Sequence, residues 1–322
     1  MSRDQFVTHL GLAYFADERV NLKREDVATY RQQVNNLRDQ LTAYINKHPD
    51  FKLIKMLHSG SVAKGTALKT INDMDVAVYV TKDSAPANEN DLLVWLQARL
   101  QEAYGAVKSK DDFTIEHHCV KVKFHGTGLD VDVAPVLYEN AANDIGYLVN
   151  KDGERVLTSI PMHLLFSRTR KELHGPDYRQ LIRFIKSWKR QQADGFRFKS
   201  FMIELIVAHL FDRGLIQKNN YMDALEGFFK YVVQSQLKLQ IVFADYYSAD
   251  QIAVSNSPIR IFDPVNPANN VASQYTDQMR GTIVAAAAES LDALMYARNA
   301  TTKAEAISVY KEIFGPSFKV SE

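Results

Sequence analysis

Two acidic pairs carry the strongest chemical signal in the chain: Asp73 and Asp75 in "DMDVAVYV", and Asp130 and Asp132 in "GLDVDVAPV". On extended backbone, residues two apart project from the same face, so each pair presents two carboxylates side by side. Adjacent anions repel unless a cation lies between them, and magnesium with oxygen ligands is the natural counter-ion. Pairing the two strands would add a third carboxylate to the first two. Three carboxylates can hold two metal ions roughly 3.5 to 4 Å apart, one activating an attacking hydroxyl and the other gripping a leaving pyrophosphate. That is the chemistry of nucleotidyl transfer.

Upstream, "HSGSVAKGTALKT" holds Gly60, four residues, Gly65 and Thr66, which looks like a phosphate-binding P-loop. The order excludes it, because Lys64 precedes the second glycine where a P-loop needs the lysine after it. Gly60 instead lets the backbone approach a triphosphate, and Ser61 can donate to it from the start of a helix whose N-terminal dipole favours anions. Taken singly, each feature also fits a bland role: strand-end charges for Asp73 and Asp75, a turn for Gly60. Their order along the chain favours the catalytic role.

The elements that would position these residues follow from periodicity. Val27, Tyr30, Val34, Leu37, Leu41 and Ile45 recur at intervals of three and four and predict a long helix over 24–47. Strands are expected at 51–57 and 73–80 around a short helix begun by "VAKGTAL", and a helix over 90–104. "FTIEHHCVKVKF" and "GLDVDVAPVLYE" read as two more strands, joined as a hairpin at 125–128. From Pro161 onward the pattern is helical, ending in a stretch over 271–298 with Tyr275, Met279, Leu291 and Met295 on one face. The chain therefore reads as α+β, with a catalytic lobe over 1–160 that includes the long helix and a mostly helical lobe over 161–322.

Composition is that of an ordinary folded protein, 46% hydrophobic and 24% charged, with a net charge of +1 that gives no global nucleic-acid signature. One cysteine, Cys119, excludes an internal disulfide framework and cysteine-based metal sites, and with no signal-peptide pattern or membrane-length apolar run the expectation is a cytoplasmic protein. Lys108, Lys110, Lys121 and Lys123, and Lys186, Lys189, Arg190, Arg197 and Lys199, could form a local basic patch for nucleic acid. A solvated face is the commoner role of such a run. Trp188 reads as core.

These residues resemble the polymerase-β-like nucleotidyltransferase superfamily, whose signature is Gly-Ser, a short helix, Asp-x-Asp on a strand and a later third Asp. "SGSVAKGTAL…NDMDVAVYV", "LDVDVAPVLYE", "SIPMHL", "LIRFIKSWKR", "FKSFMIEL" and "DPVNPANNV" narrow the resemblance to the bacterial CD-NTases, which are similar to cyclic GMP-AMP synthase and oligoadenylate synthase. The resemblance implies Asp73, Asp75 and Asp132 as catalytic metal ligands, with Asp130 the lesser choice for the third. Two magnesium ions, with manganese as a substitute, are implied as cofactor. It assigns Gly60, Ser61, Lys186 and Ser200 to the triphosphate and Phe201 to stacking on a nucleobase, so that the helical lobe over 161–322 is implied to complete the nucleotide pocket. As residues, Lys186 also fits a solvated helix charge, Ser200 a helix cap and Phe201 core.

The implied activity is synthesis of a cyclic oligonucleotide second messenger from ATP and other NTPs in anti-phage (CBASS) signalling. "GSVAKGTAL" and "DPVNPANNV" resemble the branch associated with HORMA-domain partners, which implies such an activator and an adenine-rich cyclic trinucleotide. A linear oligoadenylate-type or RNA-tailing enzyme, or a catalytically silent nucleotide- or RNA-binding scaffold, are the alternatives.

Overall fold

Met74, Val76, Val78 and Val80 alternate along one strand, and their burial decides which side of a sheet faces helices and which is left for chemistry. The computed structural model describes residues 6–48, 52–71, 73–140 and 142–320. Helices α1 (His9–Phe15) and α2 (Arg24–Ile45) lead into β1 (Leu53–His58), the short α3 (Gly60–Lys64) and β2 (Asp73–Val80). There follow α4 (Leu92–Tyr104), β3 (Phe113–Ile115), β4 (Val120–Phe124), β5 (Leu129–Asn140), β6 (Ile145–Val149) and β7 (Arg155–Thr158). Helices α5 (Ile160–His174), α6 (Pro176–Lys189), α7 (Ser200–Asp212), α8 (Tyr221–Ser235), α9 (Asp277–Asn299) and α10 (Lys303–Phe314) complete the order.

Contacts divide the chain into a unit of Leu22–Ser167 and a unit formed by Met1–Asn21 with Arg168–Glu322. In the first, a mixed sheet runs β1-β2-β5-β4-β3, with β6 pairing both β5 and β7. Only β2 and β5 are parallel neighbours among the described strands. Val34, Leu37 and Leu41 of α2 and Leu92, Leu96 and Leu100 of α4 pack on Met74, Val76, Val78, Val131 and Val133. The period of two then leaves Asp73, Asp75, Asp130 and Asp132 on the opposite face. Further along that face Ala77, Tyr79 and Val136 form a second, smaller core with Leu57, Leu148 and Ile160.

The expected strand over 113–124 is instead two. Glu116 N–H donates to the Cys119 carbonyl at 2.8 Å, closing a turn between β3 and β4. The strand expected over 51–57 is β1, and its expected first residue, Phe51, lies outside the described residues. The short helix also starts earlier than "VAKGTAL": Gly60 opens it and Gly65, with φ 71, ends it in the left-handed conformation.

In the helical unit, residues 6–21 pack with the later helices rather than with the sheet, a different partition from a simple break near 160. Phe15 is 4.7 Å from Phe318 and 5.3 Å from Phe314 between ring centres, and the His9 ring is 4.2 Å from Tyr221. Trp188 is core as expected, 0% exposed, and its indole N–H donates to Ser290 Oγ at 2.8 Å. The last long helix begins only at Asp277, capped by Thr276, and it buries Ile283, Val284, Ala287, Ser290, Leu294 and Ala297. Tyr275 precedes the helix and Met295 is 54% exposed, so the face expected from Tyr275, Met279, Leu291 and Met295 is out of phase. Among the described residues no helix is long and apolar enough to cross a membrane.

Candidate active site

Parallel pairing of β2 with β5 sets Asp73 beside Asp130 and Asp75 beside Asp132. Neighbouring strands lie about 4.8 Å apart, so the sheet builds a block of four carboxylates on the face away from α2 and α4. The antiparallel neighbour β4 places Lys121 opposite Asp132 and Lys123 opposite Asp130. "VKVKF" thus complements "LDVDV" residue for residue.

Gly60 is held against this block. Ser59 N–H donates to the Asp75 carbonyl at 2.9 Å, and Gly60 has φ 64. A Cβ built on Gly60 would overlap the carboxylate carbon and Oδ2 of Asp75. Only glycine satisfies both the conformation and the close approach. Gly60→Ala is therefore expected to destabilise the protein by about 1–3 kcal/mol and to displace the Asp75 carboxylate. Thermal melts with a product assay check this; unchanged activity would remove Gly60 from the site. Ser61, half-buried in the first turn of α3, accepts from Thr66 N–H at 2.8 Å through its carbonyl, tying helix to loop.

Electrostatics single out Asp132. Its Oδ1 is buried without a hydrogen-bond partner. Burial pushes its carboxyl up to about 6, helped by Asp73, Asp75 and Glu116 and opposed by Lys121. The same field reaches Cys119, whose thiol is pushed up to about 12 by burial and by Asp132, Glu116 and Asp75. Among the described residues, no three His, Cys, Asp or Glu side chains are grouped closely enough to hold a metal ion as they stand. The donor set nevertheless suits a hard divalent cation: oxygen ligands throughout, one buried oxygen unsatisfied, and a glycine-lined approach to Asp75.

The remaining expected residues belong to the helical unit. Lys186 of α6 is 6% exposed and its Nζ lies 2.5 Å from Glu204 Oε1 of α7, so it is no solvated helix charge. Ser200 is the exposed first residue of α7, whose cap position is Lys199, and Phe201 beside it is half-buried. In the loop that contains "DPVNPANNV", Asp263 Oδ1 accepts from Val265 N–H at 2.8 Å and Asn270 Oδ1 accepts from Ile261 N–H at 3.1 Å. These side chains fold the loop on itself.

Several expected patch residues make internal contacts: Lys121 pairs with Glu116 at 3.5 Å, and the Lys108 ammonium sits 4.1 Å from the Phe124 ring centre. Glu204, Glu116 and the Lys121 and Asp132 pairing were not singled out from sequence. The alternation of "VKVKF" was the signal for the last of these, while Glu204 lay unmarked four residues after Ser200.

The family profile for the Second Messenger Oligonucleotide or Dinucleotide Synthetase domain matches residues 9–157. The chain is 42% identical over 319 residues, 98% of its length and 99% of the relative's, to a "Cyclic AMP-AMP-AMP synthase" of Escherichia coli (strain MS 115-1). It is 30% identical, over 98% of its own length and 99% of the relative's, to the "CBASS oligonucleotide cyclase CdnC" of Escherichia coli (strain KTE188). The solved structure of the E. coli MS115-1 CdnC:HORMA-deltaN complex contains a chain that matches with a TM-score of 0.90 and 42% identity, covering 98% of this chain and 99% of that one. The chain belongs to the CD-NTases, the cyclic-oligonucleotide synthases of the nucleotidyltransferase class, and shares their fold.

Proposed function

We propose that the protein makes a cyclic, adenine-rich trinucleotide from ATP for CBASS signalling, with magnesium held by Asp73, Asp75 and Asp132 and with a HORMA-domain protein as activator. The observation that carries the site is the register of Asp75 beside Asp132, with Gly60 pressed on the one and a buried, unpartnered oxygen on the other. The product and the activator are supported by the relatives' own descriptions, a cyclic AMP-AMP-AMP synthase and a complex with HORMA-deltaN.

In the reaction, a ribose hydroxyl oxygen of one nucleotide attacks the α-phosphorus of another, the bond to pyrophosphate breaks, and the hydroxyl proton is released. Asp73, Asp75 and Asp132 would hold magnesium, which would supply Lewis-acid activation of that hydroxyl and neutralisation of the leaving pyrophosphate. Gly60 and the first turn of α3 admit the phosphates, with Ser61 as donor. Lys186 and Ser200 hold the triphosphate, and Phe201 offers a ring face to a base, which selects for aromatic shape rather than sequence. The linear product rebinds, and its remaining triphosphate becomes the next target, closing the ring.

Incubation of the protein with labelled ATP, magnesium and a HORMA-domain partner, followed by phosphatase and mass spectrometry, tests this. A phosphatase-resistant ring of three adenylates is the expected product. A linear product with a phosphatase-sensitive end would replace cyclisation with oligoadenylate-type synthesis.

A further inference from the structure

Helices α6 and α7 pack against each other, and Leu181, Ile182 and Ile185 of the first and Ile203 and Val207 of the second are all buried. Into this apolar seam the chain places one cation and one anion, Lys186 and Glu204, whose side chains are 7% and 10% exposed. A buried ion pair is weak evidence for stability, because well-packed apolar residues in its place usually do as well. Its presence calls for a task other than holding the helices together.

Position supplies one. Glu204 follows Ser200 by four residues, so the two share a face of α7, about 6 Å apart along its axis. Ser200 opens that helix, and the cap residue Lys199 makes no side-chain capping bond to the first-turn N–H groups. The ion pair therefore anchors the Lys186 ammonium in the first turns of α7, toward the end whose dipole favours an anion. A lysine on a four-carbon stem has many rotamers, and a fixed carboxylate selects one.

We propose that Glu204 is a positioning residue that fixes the Lys186 ammonium at the start of α7 for the nucleotide's triphosphate. This rests on the reading that Lys186 and Ser200 hold those phosphates. Four proteins separate the roles: wild type, Lys186→Met, Glu204→Gln, and the double variant Lys186→Met with Glu204→Leu. Each is measured for thermal stability and for equilibrium binding of a non-hydrolysable ATP analogue with magnesium.

Lys186→Met and Glu204→Gln are each expected to weaken analogue binding about tenfold or more. The double variant is expected to melt close to wild type, since it leaves no buried unpaired charge, while still binding as weakly as Lys186→Met. Wild-type binding by the double variant would make the pair purely structural and overturn the proposal. Weakened binding in Lys186→Met with unchanged binding in Glu204→Gln would overturn the role of Glu204 alone. Unchanged binding in Lys186→Met would overturn the phosphate reading itself, and the proposal with it.

Discussion

Replacing Asp73 and Asp75 together by asparagine is expected to lower product formation about a thousandfold or more while leaving the fold intact. The magnitude follows from the charge removed: a divalent ion at the reacting phosphate stabilises the transition state by several kcal/mol, and each 1.4 kcal/mol is a factor of ten. The fold should survive because both side chains lie on the face opposite the main core, whose packing rests on Met74, Val76 and Val78. Asparagine keeps their shape and removes a like-charge repulsion with Asp130 and Asp132 across the parallel register. Circular dichroism and melting temperature measure the fold, and mass spectrometry measures the product. Equal product from wild type and variant would end the nucleotidyltransferase assignment of this face.

That face was legible in the sequence because it depends on local rules. Asp-x-Asp on a strand fixes which side both carboxylates share, and the apolar residues between them fix which side faces the core. The register of β2 against β5, which brings Asp75 beside Asp132, is a long-range fact and was open until the sheet was seen. The break at 116–119 was hidden because "FTIEHHCVKVKF" alternates well enough on both sides of its turn to pass for one strand. In α9, residues 285–288 are four consecutive alanines, which carry no contrast between faces, so the phase inferred from Met279, Leu291 and Met295 drifted from the buried line through Ile283, Ala287 and Leu294. The docking of Phe15 on Phe314 and Phe318 joins residues some 300 positions apart, and no window of local pattern can report it. The ion pair of Lys186 with Glu204 has the same character, since neither residue type announces burial.

Asp132→Asn is expected to stabilise the metal-free protein at neutral pH while abolishing synthesis. In the folded chain burial and the charges of Asp73, Asp75 and Glu116 lift the Asp132 carboxyl from its ordinary 3.8 to about 6. Below about pH 4 the group is protonated whether the chain is folded or not, and it contributes no difference. Between about pH 4 and 6 the folded chain keeps a proton that the unfolded chain has released, so stability falls as pH rises. Above about pH 6 the penalty is present in full. Asparagine carries none of it, so the melting temperature of the variant should exceed that of wild type at about pH 8, and the gap should close as pH drops toward 4. Magnesium should reverse the order in part, raising the melting temperature of wild type at about pH 8 much more than that of the variant, because the ion binds the ionised carboxylate. A gap that stays constant with pH, or that has the opposite sign, would mean that Asp132 is not the buried and repelled carboxylate its surroundings make it. On the function proposed above, the stability given up at Asp132 is the cost of holding, beside Asp75, a buried carboxylate oxygen that a divalent ion would satisfy.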